Sequence, residues 1–376
     1  MKAKWMAATA LAFALALGAS GSASATTLKA VHYLSPKHPV GLGYETFAEE
    51  VKKNTNGEVT VRIFPAESLL GAKAISDGIR DQVADVGFAT MSYTPSYYPY
   101  GVMLNDLAMV GENDMAAAMA ITELFNLHCQ PCLAEYTKQN QLFGSGMSTA
   151  PYVLIAKGDI NSLEKIKGKK LRAGGALWDR FAKSVGATGV NVPSSEMYET
   201  LSRGIIDAAV YAVGGLKTHG LADTAGQVVL LNLGSFRSGN LYSINLDTWS
   251  KMTTPQRAGI LKAIPVAVVK TVNEYHAGDK AALELAKEKK VPVVQPDPAL
   301  LAARKDFVEK DLPGIVEAAK KKGIENAQEF VDKYKELLAK YEKLITPIEN
   351  DPKKLSDMFY NEVYAKLDPA TFGVKK

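Results

Sequence analysis

The chain has 376 residues, with 44 basic and 40 acidic side chains giving a formal charge of +4 at neutral pH, and 47% apolar residues. So slight an excess of positive charge excludes a polyanion binder, and no segment beyond the N-terminus is apolar for long enough to cross a bilayer as a helix. The length suffices for two domains with cores of ordinary size.

The chain opens on "MKAKWMAATALAFALALGASGSASA": Lys2 and Lys4, an apolar run to about Leu17, then small residues ending in Ala23-Ser24-Ala25. That is the pattern of a cleaved secretory signal peptide, residues 1–25. Its apolar core is short for a membrane anchor, and no cysteine stands at the cleavage point to carry a lipid. The mature chain is expected to begin near Thr26, free of any anchor and outside the cytoplasm. Loss of the two lysines leaves 42 basic and 40 acidic residues.

Short strands and helices then alternate. "LKAVHYLS" reads as a strand, "GYETFAEEVKKNTNG" as a helix with an apolar stripe through Phe47 and Val51, "EVTVRIFP" as a strand, "KAISDGIRDQ" as a helix and "ADVGFATM" as a strand. Such an order builds a parallel sheet covered by helices. The rhythm restarts at "YVLIAKG" and continues through "KKLRAGG", "TGVNVP", the helix "SSEMYETLSRG", "DAAVYAV" and "QVVLLNLG". Two α/β units imply a cleft between them. From about Asp247 the pattern is mostly helical, with one stretch from Thr254 to Lys290 long enough to brace both units and a candidate bend at Pro265. The lysine-rich runs "LAKEKK" and "EAAKKKG" read as solvated helix faces or ends.

"LHCQPCLAEY" holds the only two cysteines, Cys129 and Cys132. In an oxidising compartment a static disulfide is the simpler reading; a thiol-disulfide oxidoreductase is the rival, although the strand that precedes such a motif in redox enzymes is missing. There is no G-x-S-x-G, no S-x-x-K with K-T-G and no glycine-rich phosphate loop. His32, His128, His219 and His276 fall at no zinc spacing, so neither metal nor cofactor is expected. "KGKKLRAGG" closes a strand on Arg172 and follows it with Gly174 and Gly175. On composition alone Arg172 is a surface arginine at the end of a basic run. The alternative is an anchor for a carboxylate, which its planar fork fits with two parallel hydrogen bonds.

In order and spacing, the blocks "HYLSPKHPVGLGYETFAEEVKKNTNGEVTVRIFPAESLLG", "IRDQVADVGFAT", "LEKIKGKKLRAGG", "SSEMYETLSRGIIDAAV" and "NLYSINLDTWSKM" resemble the solute-binding proteins of tripartite ATP-independent periplasmic (TRAP) transporters. The resemblance runs through essentially the whole mature chain. It implies an α/β fold of two domains closing on a ligand, with a long helix spanning both. It also implies a periplasmic monomer, not an enzyme and not a nucleic-acid binder, that delivers a small organic acid to membrane permease subunits. The implied division is 26–149 plus about 236–277 for one domain and 150–235 plus about 278–376 for the other.

In that family the arginine closing the equivalent strand binds the carboxylate, which here is Arg172. His38, in the loop "SPKHPVG", falls where the family faces its cleft. Three departures change the pocket: Tyr211 stands where an asparagine touches polar ligands, Tyr152 where a second basic residue is common, and Thr90 where sialic-acid binders carry an acid. With Met91, Tyr93, Trp178 and Phe236 mapped nearby, the implied ligand is a monocarboxylate with an apolar or aromatic body. A C4-dicarboxylate or another polar organic acid is the alternative. A sensory or chaperone-like binder would explain the fold but not the ordered motifs.

Overall fold

In the computed structural model, residues 26–375 are described; the expected signal peptide, residues 1–25, lies outside the described residues. The alternating runs form strands where expected: β1 (Thr26–Val31), β2 (Val59–Phe64) and β3 (Val86–Thr90), followed by β4 (Gln141–Phe143). The second set is β5 (Tyr152–Ala156), β6 (Lys170–Ala173), β7 (Thr188–Asn191), β8 (Ala208–Ala212) and β9 (Gln227–Val229), then β10 (Gly239–Asn245) and β11 (Val293–Val294). They assemble into two sheets, ordered β2-β1-β3-β10-β4 and β11-β9-β5-β8-β6-β7.

Neither sheet is uniformly parallel, which corrects the expectation drawn from the alternation. β1 runs parallel to β2 and β3, but β10 is antiparallel to β3 and β4; β6 runs parallel to β7 and β8, but β5 is antiparallel to β8 and β9. The reason is connectivity. A helical crossover returns the chain to the end of the sheet from which it left, and so gives a parallel strand. β5 and β10 are entered from the other sheet, through residues 144–151 and 230–238, and start from the opposite end.

These two crossings lie side by side. Thr149 N donates to Phe236 O (3.2 Å), Tyr152 N to Gly234 O (2.7 Å) and Leu233 N to Tyr152 O (2.8 Å). The third bridge is helix Thr254–Glu288, which starts in a capping box between Thr253 and Gln256 and runs unbroken through Pro265. Proline removes one intrahelical hydrogen bond, but Pro265 is buried on a helix packed along Pro39–Asn54, and that packing holds the element together. Near its middle Gly43 faces Thr271, and toward its end Asp279 accepts from Gly214 N of the second lobe (2.7 Å). Asp114 ties all three bridges: it accepts from the hydroxyls of Ser148 and Ser235, one on each crossing, and stands 3.3 Å from His276 Nε2 of the long helix.

The C-terminal helices wrap the first lobe. Helix Ala327–Ile345 packs on Asp114–Glu123, where Lys340 Nζ and Tyr341 OH donate to Glu123 (2.7 and 2.6 Å). Trp249 Nε1 donates to Phe372 O (2.7 Å) and Tyr364 OH to Gly144 O (2.9 Å). The sequence division gave 278–376 to the second lobe; these contacts of residues 327–375 run to the first. Amphipathic helices have an apolar face but carry no mark of which sheet it will cover. Cys129 and Cys132 form a disulfide at the start of helix Gln130–Lys138.

Candidate binding site

Arg172 lies one residue before the end of β6 with its side chain only 2% exposed, among the largest fully buried side chains of the described residues. Nε donates to Val192 O at 2.9 Å, while Nη1 reaches Val210 O at 3.3 Å and Nη2 reaches the Tyr93 hydroxyl at 3.4 Å. A guanidinium has five N–H donors, so one good bond and two long ones leave most of its outward edge unspent. Among the described residues no carboxylate forms an ion pair with it. A buried cation without an anion is expensive.

The edge faces a narrow cavity of about 10 Å³, the room one water molecule needs. Its lining joins Arg172, Tyr152, Ser194 and Tyr211 of the second lobe to Tyr33, Phe88 and Tyr93 of the first, with Thr149 and Phe236 from the crossings and Tyr275 from the long helix. Arg172 is the only charged residue in that lining. Tyr152 sits 5.1 Å from Tyr211 and 6.3 Å from Phe236, centroid to centroid. Burial pushes the Tyr33, Tyr152, Tyr211 and Tyr275 hydroxyls well above the usual phenol range, so they stay protonated.

Tyr93 closes the cleft from the first lobe: its hydroxyl accepts from Ser194 N (3.0 Å) as well as from Arg172. Beside it, a Cβ on Gly175 would fall 2.3 Å from Asn105 Nδ2 of the first lobe, and one on Gly174 would meet Arg172 Nη1 at 3.0 Å. Glycine lets the backbone lie this close.

Of the residues expected at the site, Arg172, Tyr93, Tyr152, Tyr211 and Phe236 line the cavity. The other four stand behind the walls. His38 reaches the Tyr211 hydroxyl through Nε2 at 3.2 Å, and Thr90 Oγ1 shares a 2.9 Å hydrogen bond with Tyr33 OH. Trp178 stacks on Tyr152 at 5.0 Å and donates to Leu233 O; Met91 turns toward Tyr136, whose hydroxyl lies 2.6 Å from its sulfur. Tyr33, Phe88, Ser194, Thr149 and Tyr275 were not anticipated. Tyr33 and Ser194 sit at strand ends within segments already picked out, so position would have found them. Nothing local marks Tyr275, which depends on the rotation of a 35-residue helix.

A cleft between two lobes on three bridges, over a buried cation that pairs with no carboxylate among the described residues, defines a two-lobed solute-binding protein. The chain belongs to the DctP family, described as bacterial extracellular solute-binding protein family 7, whose model matches residues 30–319. The resemblance to TRAP solute-binding proteins read from the ordered motifs therefore holds. A solute-binding protein of Albidiferax ferrireducens is 28% identical over 168 residues, 44% of this chain and 47% of that protein, so the match spans about half the length of that relative. A monocarboxylate 2-oxoacid-binding periplasmic protein of Nostoc sp. is 26% identical over 264 residues, 64% of this chain and 66% of that one. Among solved structures, a marine metagenome TRAP solute-binding protein specific for aromatic acids, in complex with 3-hydroxybenzoate, has a similar fold. The TM-score is 0.75 at 21% identity, over 84% of this chain and 99% of that one.

Proposed function

We propose that this protein is exported by the signal peptide of residues 1–25, captures a small aromatic or apolar monocarboxylate between its lobes, and hands it to the permease subunits of a TRAP transporter. It acts as a binding protein without turnover and as a monomer. The observation that carries the reading is Arg172: a buried guanidinium, facing a cavity, with no carboxylate beside it among the described residues. A ligand carboxylate supplies the missing anion, and each charge-assisted bond contributes roughly 1.5–3 kcal/mol in a site closed to water. The tyrosine and phenylalanine walls suit a flat ring, with about 0.5–1.5 kcal/mol per aromatic pair beyond area burial. A second carboxylate would find no second cation in the lining, and desolvating it unpaired costs several kcal/mol.

Calorimetric titration of the mature protein against benzoate, phenylacetate, acetate and succinate tests this. The aromatic acids should bind at least tenfold tighter than either small acid. Tight succinate binding with no heat from any aromatic acid would overturn the ligand class. The rival redox reading has no support, since Cys129 and Cys132 form a disulfide in a helix cap and line no part of this cavity.

A further inference from the structure

His38 is not a wall of the cavity, yet its two ring nitrogens are both committed. The residue caps helix Pro39–Asn54, and its Nδ1 accepts the Val40 N–H at 3.1 Å. Nδ1 therefore carries a lone pair and no proton. Burial holds the imidazole neutral, its titration pushed well below the ordinary histidine range. In a neutral ring with Nδ1 as acceptor, the proton is on Nε2. That Nε2–H points at the Tyr211 hydroxyl, 3.2 Å away, and donates to it. The Tyr211 oxygen is thus an acceptor toward His38, so its own proton must find an acceptor elsewhere. No described residue provides one, and Tyr211 lines the cavity.

Helix capping thereby fixes the direction of a hydrogen bond in the ligand site. The same strand places this hydroxyl beside the cation: Val210 O accepts from Arg172 Nη1, and the Arg172 guanidinium carbon lies 5.9 Å from the centre of the Tyr211 ring. Resting on the carboxylate-binding role proposed for Arg172, we infer that Tyr211 and His38 select acids bearing a second, uncharged oxygen close to the carboxylate, an oxo or hydroxyl group that accepts the Tyr211 proton. Tyr211 touches the ligand; His38 is a positioning residue that keeps Tyr211 a donor. Such a site rejects the acid lacking that oxygen because the buried O–H is then left without a partner.

The test uses three acids that differ at one carbon: phenylacetate, mandelate and phenylglyoxylate, titrated calorimetrically into the mature protein. The better of the two oxygenated acids should bind at least tenfold tighter than phenylacetate. Tyr211→Phe should collapse that ratio to about twofold or less. For His38 two amides separate positioning from capping. In His38→Asn the amide can still cap the helix but cannot reach Tyr211, and the ratio should fall. In His38→Gln an N–H is restored near the Nε2 position, and the ratio should be retained even where the helix is less stable. A ratio near one in the wild type, a ratio untouched by Tyr211→Phe, or equal ratios in the Asn and Gln variants would overturn the inference. Failure of all three acids to bind would instead overturn the ligand class itself.

Discussion

Arg172 and Arg237 are both buried, but they differ in how far the fold uses their donors. Arg237 gives its Nη1 and Nη2 to the carbonyls of Leu107, Val110 and Gly111 and to the Tyr334 hydroxyl, with three of those four bonds at 3.0 Å or less. Its outer edge is spent on the fold. Arg172 has one short bond, at Nε, and an outer edge turned to a cavity. An arginine cannot discharge itself by losing a proton, whereas a buried carboxyl can by gaining one. Glu135 does so: Oε1 accepts from Tyr100 N at 2.8 Å, Oε2 has no protein partner, and burial pushes the carboxyl up to about 8. Between the ordinary glutamate value of 4.5 and about 8 the folded chain therefore holds a proton that the unfolded chain has released. Stability from this group is greatest at or below pH 4.5 and declines as the pH rises toward 8. Thermal melts of Glu135→Gln and wild type should diverge between pH 5 and 8, the wild type losing a few degrees relative to the variant. Parallel curves would show that Glu135 titrates normally.

At the scale of elements, local pattern located strands and most helices because alternation and the 3.6-residue stripe are properties of neighbouring residues. β2, β3, β5, β6, β7, β8 and β9 all fall inside segments identified by periodicity, and β1 begins two residues before its own. What pattern left open was whatever depends on partners far along the chain: the antiparallel direction of β5 and β10, the attachment of Ala327–Ile345 to the first lobe, and the turn of the long helix that brings Tyr275 to the cavity. The candidate site divides in the same way. Arg172 and Tyr211 were legible through strand-end motifs, while His38 stands behind Tyr211 and Met91 faces Tyr136. The packing of Pro39–Asn54 on Thr254–Glu288 offers a direct check of the brace. A Cβ at Gly43 would stand 1.9 Å from Thr271 Oγ1, so Gly43→Ala forces two buried helices apart. Overpacking of this kind costs about 1–3 kcal/mol. The midpoint of urea unfolding should fall accordingly, with the ranking of acids preserved; an unchanged midpoint would mean that the contact yields freely.

At the scale of the whole molecule, the capture proposed above requires the lobes to separate, since the space between them holds only about 10 Å³. Arg180 joins the lobes outside the cavity, with Nη1 2.9 Å from Asp106 of the first lobe and Nε and Nη2 on Asp311 at 2.7 and 2.8 Å. The group is partly exposed, which weakens it through solvent screening. Its removal should shift the population toward the open form and weaken every acid by a similar factor, roughly threefold to tenfold. Small-angle scattering of ligand-free Arg180→Ala should report a larger radius of gyration than wild type; unchanged scattering together with unchanged affinities would deny Arg180 any part in closure.

The central claim concerns Arg172, and its most direct test is calorimetric titration of Arg172→Ala with the acid that binds the wild type most tightly. Circular dichroism should show the fold intact, because the guanidinium closes no ion pair among the described residues. Affinity should fall by roughly 2–5 kcal/mol, enough to take a micromolar ligand out of measurable range. Wild-type affinity in a folded Arg172→Ala protein would contradict the account.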